Sequence, residues 1–228
     1  MHIHEQDSDP GRPPVVVLMD APGVRPALHE HARRLAELGY RAALPALYYA
    51  IPQEDRPDTE RLRAGNAAEF ARMGEVVSRL DDDEILDDME LLVNELGGGS
   101  WACVGFCLGG RVGLRATARL GDTLRAAGLL HPSGLVTDAD DSPHRNLVRT
   151  QATLYLGFGE ADHVTPTSII PVLSESLEEA GLAFDIEILA EADHGFTMPD
   201  LPPYNPVAAE RAWSGTVKAL RAGLLVPR

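Results

Sequence analysis

Two cysteines, Cys103 and Cys107, are too few for a disulfide scaffold or a cysteine-only zinc site, so neither device holds this 228-residue chain together. Long apolar runs are missing too. The longest fall well short of the roughly 20 residues that cross a bilayer, and the opening "MHIHEQDSDPGRPP" lacks the basic, apolar and small-residue succession of a secretion signal. These features predict a soluble, reduced, cytoplasmic protein with no membrane partner. Positive charge is scarce: 20 Lys and Arg stand against 35 Asp and Glu, and the net charge of -15 repels phosphate backbones and anionic lipids. Nucleic acid is therefore not an expected partner, and the acidity reads as a solubility feature. No low-complexity linker and no repeat of solenoid or propeller period divides the chain, which is read as one domain, 1–228, opening with a polar N-terminal arm, 1–13.

What the chain does contain is alternation. "VVVLMD" (15–20) is a continuous apolar run closed by a charge, as a fully buried strand would be, and Leu28, Ala32, Leu35 and Leu38 then recur at helical spacing until Gly39. A short strand, "RAALPAL", is broken by Pro45. The polar stretch from Ile51 to about Arg63 reads as a loop or the start of a helical excursion. The segment "DDDEILDDMELLVNEL" predicts a helix, with acids at its N-terminus where the helix dipole favours them. Strands at "WACVGF", "AAGLLH", "ATLYLGFG" and "AFDIEIL" follow, separated or closed by helical segments beginning at Gly109, Ser168 and Ala208. This order implies a mostly parallel sheet with helices on both faces, and such sheets bind ligands beyond the carboxyl ends of their strands. The residues to weigh are then Asp20, Cys107, His131, Glu160, Asp162 and His194.

"GFCLGGR" (105–111) sets Cys107 between Gly105 and Gly109 where a buried strand ends and a helix begins. Glycines leave room for a cramped turn that holds one side chain outward, the arrangement of the nucleophile elbow with cysteine in the place of serine. A thiol attacks as thiolate, so it requires a base, commonly histidine, and the histidine requires a carboxylate to orient it. Asp162 in "GEADHVTP" and His194 in "EADHGF" follow the nucleophile in the order acid then base, each just past a strand. Each has a plainer reading. Cys107 without its glycine frame would be a small buried hydrophobe, as Cys103 is expected to be. Asp162 would also serve as a turn-capping carboxylate with Glu160 as its rival for the acid role, and His194 as a solvated loop histidine. "HIH" and "HEH" place histidines two apart, and on a helix this spacing faces them different ways, so no metal site is expected.

Taken together, "GFCLGGR", "GEADHVTP", "ADHGF", "VVVLMDAPGV" and "GYRAALPALY" resemble the dienelactone hydrolases (carboxymethylenebutenolidases) of the α/β-hydrolase superfamily, from about Pro14 to the last helix. The resemblance implies the α/β-hydrolase fold, with Cys107 as nucleophile, Asp162 as acid and His194 as base, and no cofactor. With only about fourteen residues ahead of "VVVLMD", the sheet is expected to lack one or two of the strands that often open this fold. The fold's oxyanion hole points to the backbone N–H groups of Leu108 and Ala21. In the family a carboxylate, usually glutamate, holds the resting cysteine and moves aside as substrate binds. Asp20 occupies the matching position, one methylene shorter, and is open to two readings: it reaches the thiol, or it merely ends the strand. Family members bind the carboxylate of dienelactone with arginines, one of them shortly after the histidine, where this sequence has Met198. Arg25 and Arg72 are candidates to supply a cation instead, and His131 either lines the pocket or is structural. The expected protein is a cysteine hydrolase of small esters or lactones, monomeric or a small homo-oligomer. The alternative is a catalytically inactive small-molecule-binding protein on the same scaffold.

Overall fold

The computed structural model describes residues 2–4 and 11–224. Its sheet has seven strands: β1 (His2–His4), β2 (Pro14–Leu18), β3 (Arg41–Leu44), β4 (Trp101–Phe106), β5 (Leu124–Leu130), β6 (Thr153–Gly159) and β7 (Ala183–Leu189). They lie in the order β1-β3-β2-β4-β5-β6-β7. All neighbouring pairs are parallel except β1 with β3, where His2 pairs with Leu44 antiparallel. Thus part of the segment read as a polar N-terminal arm forms a strand along the sheet edge.

Helices α1 (Pro26–Glu37), α2 (Thr59–Arg63), α3 (Ala67–Ser78), α4 (Asp82–Glu95), α5 (Leu108–Arg119), α6 (Ile170–Glu179) and α7 (Pro206–Gly223) connect or close the strands. β5 shows how two of them take opposite faces. Consecutive strand residues point to opposite sides, and a Cβ on Gly128 would strike Thr216 of α7, while the next residue, Leu129, reaches Gly113 of α5. The two strands at the centre of the site, β2 and β4, are buried along their whole length, which explains their unbroken apolar runs. β7 at the edge alternates instead, with a mostly exposed or half-buried pattern.

The polar stretch from Ile51 to about Arg63 resolves into a 3-10 turn at Gln53–Asp55 and the short helix α2, and the longer α3 follows it. Asp58 and Asn66 cap these two helices through side-chain oxygens that accept backbone N–H bonds. Few apolar residues anchor the excursion, since α3 buries only Glu69 and Val76. No helix among the described residues is long and apolar enough to cross a membrane.

Candidate active site

The turn between β4 and α5 is built by glycines acting against backbone. A Cβ at Gly105 would lie 2.2 Å from the carbonyl oxygen of Gly109, and one at Gly109 would lie 2.4 Å from that of Leu18 at the end of β2. A Cβ at Gly110 would lie 2.6 Å from Pro132. All three are closer than real Cβ contacts come, so the α5 N-terminus meets β2 and the β5 exit only because side chains are missing there. Between them Cys107 adopts φ 52° and ψ -113°, a left-handed backbone that ordinary residues avoid. The Cys107 carbonyl accepts bonds from Gly110 N–H (3.0 Å) and Ser133 N–H (3.1 Å), tying the elbow to the turn after β5.

Asp162, just past β6, and His194, in the loop between β7 and α7, meet at hydrogen-bond distance, with Nδ1 2.9 Å from Oδ2 and 3.1 Å from Oδ1. Asp162 Oδ1 also accepts from the backbone N–H groups of Val164 and Thr165, so the carboxylate caps its own turn as well as holding the ring. Its side chain is fully buried. Glu160 instead bonds the backbone of Glu191, and the exposed His163 bonds Asp193, whose carboxylate also receives the His194 backbone N–H.

With Nδ1 held by Asp162, His194 Nε2 is left buried and without a hydrogen-bond partner among the described residues. The thiol rests on a residue that the sequence reading did not single out: Cys107 Sγ lies 3.5 Å from Ser133 Oγ. Thiol and imidazole nevertheless titrate together. Burial works to raise the Cys107 pKa, but His194 and the Ser133 hydroxyl outweigh it and the net shift is downward. Burial works to lower His194, while Asp162 and the thiolate outweigh it and the net shift is upward. Both directions favour a thiolate–imidazolium pair. Cys103 shows the contrast: fully enclosed in β4, its thiol is pushed up to about 12 by burial alone.

The N–H groups of Leu108 and Ala21 donate to no backbone carbonyl among the described residues. Leu108 opens α5, so its amide is one of those a helix start leaves unpaired, and Cys107 at the cap position supplies no side-chain bond. Ala21 lies in a turn closed by Gly23 N–H to Asp20 O (3.0 Å), and its carbonyl accepts the buried Tyr48 hydroxyl at 2.6 Å. Tyr48, the last residue of "GYRAALPALY", is a second residue not singled out from the sequence. Burial first, and then the charges of Asp20 and Cys107, raise its phenol pKa.

Several expectations change here. Asp20 makes no hydrogen bond to the thiol; Arg25 Nη1 and Nη2 take both of its oxygens, the second at 2.7 Å. Arg25 is therefore not an open cation: it is 4% exposed, and its Nε donates to Asp200 at 2.7 Å. Arg72 donates to Glu69 and to the carbonyls of Glu54 and Arg56, bracing the helical excursion rather than a ligand. Met198 is fully buried and presents no surface. His131 is also fully buried, edge-on to His194 with ring centroids 5.2 Å apart, and its Nε2 lies 2.8 Å from Thr197 Oγ1. Of its two readings, the structural one fits.

A family model for the dienelactone hydrolase family matches residues 2–224. A Methylorubrum extorquens protein assigned as a carboxymethylenebutenolidase is 28% identical over 215 residues, covering 88% of this chain and 69% of its own. An Escherichia coli K12 protein with the same assignment is 25% identical, covering 93% and 78%. Among solved structures, a Klebsiella pneumoniae protein assigned as a dienelactone hydrolase superposes with TM-score 0.81 at 24% identity, covering 95% of this chain and 89% of that one. Thermogutta terrifontis esterase 2 superposes with TM-score 0.69 at 14% identity, covering 100% and 91%, a likeness of fold. With a family match that spans the sheet, the elbow and the histidine loop alike, the chain belongs to the dienelactone hydrolase family and is a hydrolase of the ester and lactone class.

Proposed function

We propose that the chain hydrolyses small esters or lactones by covalent catalysis, with Cys107 as nucleophile, His194 as general acid and base, and Asp162 as the carboxylate that orients the imidazole. The observation that carries this reading is the pairing of a bonded His194 Nδ1 with an unbonded, buried Nε2 beside a thiol held on a strained turn. An imidazole fixed by Asp162 at one nitrogen has the other available for the sulfur and for the leaving oxygen.

In this mechanism the thiolate adds to the carbonyl carbon, and the carbonyl's π electrons move to oxygen. The Leu108 and Ala21 amides receive the oxyanion. As the tetrahedral species collapses, the C–O bond breaks and His194 Nε2–H protonates the departing alkoxide, leaving a thioester on Cys107. Neutral His194 then takes a proton from water, the hydroxide adds to the thioester, and the thiolate departs as the acid product forms. No redox step occurs, and every proton that leaves Nε2 returns to it from water. Ser133 Oγ–H is placed to donate to the resting thiolate, which can only accept.

Replacing Cys107 with Ala removes the attacking atom without filling new volume. Turnover of a simple aryl ester is expected to fall by about three orders of magnitude or more, while the thermal transition stays within a few degrees of native. Undiminished turnover by the folded variant would overturn the assignment.

A further inference from the structure

The carboxylate just past β2 accepts its hydrogen bonds from an arginine and none from the thiol. Asp20 faces Arg25 with both oxygens, Arg25 passes its third nitrogen to Asp200, and Asp200 also receives Arg63 Nη2 at 3.2 Å. Two arginines and two aspartates therefore alternate in one cluster, with Asp20 and Arg25 buried and Arg63 at its exposed rim. Burial raises the Asp20 carboxyl pKa with Arg25 opposing it, and burial lowers that of Arg25 with the two carboxylates outweighing it. The two-point contact is made by carboxylate and guanidinium together, and we take the pair as ionic at neutral pH.

We propose that Arg25 permanently neutralises Asp20, leaving the Cys107 thiolate available in the resting enzyme without release by a charged substrate, so that the protein acts on uncharged esters or lactones in preference to carboxylate-bearing ones. This rests on the reading of Cys107 as nucleophile. The groups that bear on the sulfur are His194 from the loop after β7, Ser133 from the turn after β5 and Asp20 just past β2, while Tyr48 from the segment after β3 gives its hydroxyl to the Ala21 carbonyl. Of these only Asp20 opposes the thiolate with a negative charge at neutral pH, and Arg25 is the residue whose guanidinium pairs with it. The same arrangement removes the cations a carboxylate-bearing substrate would need. Arg25 is enclosed by two aspartates, Arg63 pairs with Asp200 and Glu60, and Arg111 at the first turn of α5 is held by Asp82 through two bonds of 2.9 Å. The apolar, buried Met198 adds none.

The test is the pH dependence of Cys107 alkylation by iodoacetamide, an uncharged reagent, in the full-length protein. Arg25→Met leaves Asp20 unpaired and is expected to raise the midpoint by about one pH unit; adding Asp20→Asn is expected to return it to within about 0.3 unit of native. A structural role for Arg25 alone would not produce that rescue. An unmoved midpoint in Arg25→Met, or a raised midpoint in the double variant, would overturn the proposal. Should Arg25→Met fail to fold, Asp20→Asn decides alone: its midpoint is expected at or below the native one, whereas an upward shift would show Asp20 acting as the thiol's base. The substrate arm compares 4-acetoxybenzamide with 4-acetoxybenzoate, for which at least a tenfold higher kcat/KM on the amide-bearing ester is expected. Equal or inverted preference overturns the substrate class. Cys107→Ala separates the two layers. If it retains turnover, the nucleophile reading fails and this inference with it; if it loses turnover while Arg25→Met leaves the midpoint unmoved, only the role of Arg25 fails.

Discussion

Behind His194 lie two imidazoles that the proposed chemistry does not use. His131 touches the His194 ring edge and bonds Thr197 Oγ1, while His31 on α1 lies 3.3 Å from the Thr197 carbonyl, to which Nε2–H donates. Thr197 thus bridges the two, three residues past His194. Both rings are buried and held neutral: burial pulls His31 down to about 4, and burial with the nearby His194 cation pulls His131 further. A histidine depressed in the folded state is protonated more readily when unfolded, so its contribution is present above about pH 6.5 and is lost as pH falls toward 4. For His31 the loss is about 3 kcal/mol across that window. Urea unfolding at pH 7 and pH 4.5 should show this loss in the native chain and a smaller one in His31→Phe; equal losses would contradict the assignment. Asp162 offers a second prediction at this scale. Asp162→Asn keeps an oxygen for the Val164 and Thr165 amides but gives the imidazole a weaker and wrongly biased partner. Turnover should fall by roughly 10²- to 10⁴-fold with little change in melting temperature. A large loss of stability with turnover intact would assign Asp162 to the turn alone.

Among the elements, β4 with α5 is the part most fully written in the sequence, because its glycines answer backbone atoms rather than adaptable side chains. Gly109→Ala should cost about 1–3 kcal/mol, read as a melting temperature lower by several degrees, and should weaken turnover by displacing the Leu108 amide. Gly74, inside α3 with nothing within 4 Å of an added Cβ, makes the opposite case: Gly74→Ala should raise stability by up to about 1 kcal/mol. The same comparison explains what the sequence concealed. α5 and α7 bury apolar stripes against the sheet, whereas α3 buries only Glu69 and Val76. β1, His2–His4, is only three residues long, too short for a period to stand out. Within the site, order and glycine spacing exposed Cys107, Asp162 and His194. Ser133 and Tyr48 act from turns where serine and tyrosine are unremarkable, and Arg25 looked like a surface arginine until the fold enclosed it.

For the molecule as a whole, the parallel arrangement of β2 through β7 gathers the ends of β2, β4, β5, β6 and β7 on one side, so residues as far apart as Asp20 and His194 share one site. The family match spans the same breadth. The net charge of -15 acts at this scale as well. Its self-repulsion is screened by salt, so the melting temperature should rise as sodium chloride goes from 10 to 200 mM, roughly as the Debye length falls below 10 Å. A fall over that range would mean that ion pairs outweigh the surplus of like charge.

The central claim is that ester cleavage passes through a covalent bond to one particular sulfur. It is tested most directly by quenching a reaction with an aryl ester in acid during the first turnovers and mapping the acyl mass by peptide mass spectrometry. The account predicts the added acyl mass on the peptide at Cys107, absent from Cys103, in an amount matching the initial burst of released phenol. Rapid turnover with no acyl group on Cys107, or with the acyl group on another residue, would contradict it.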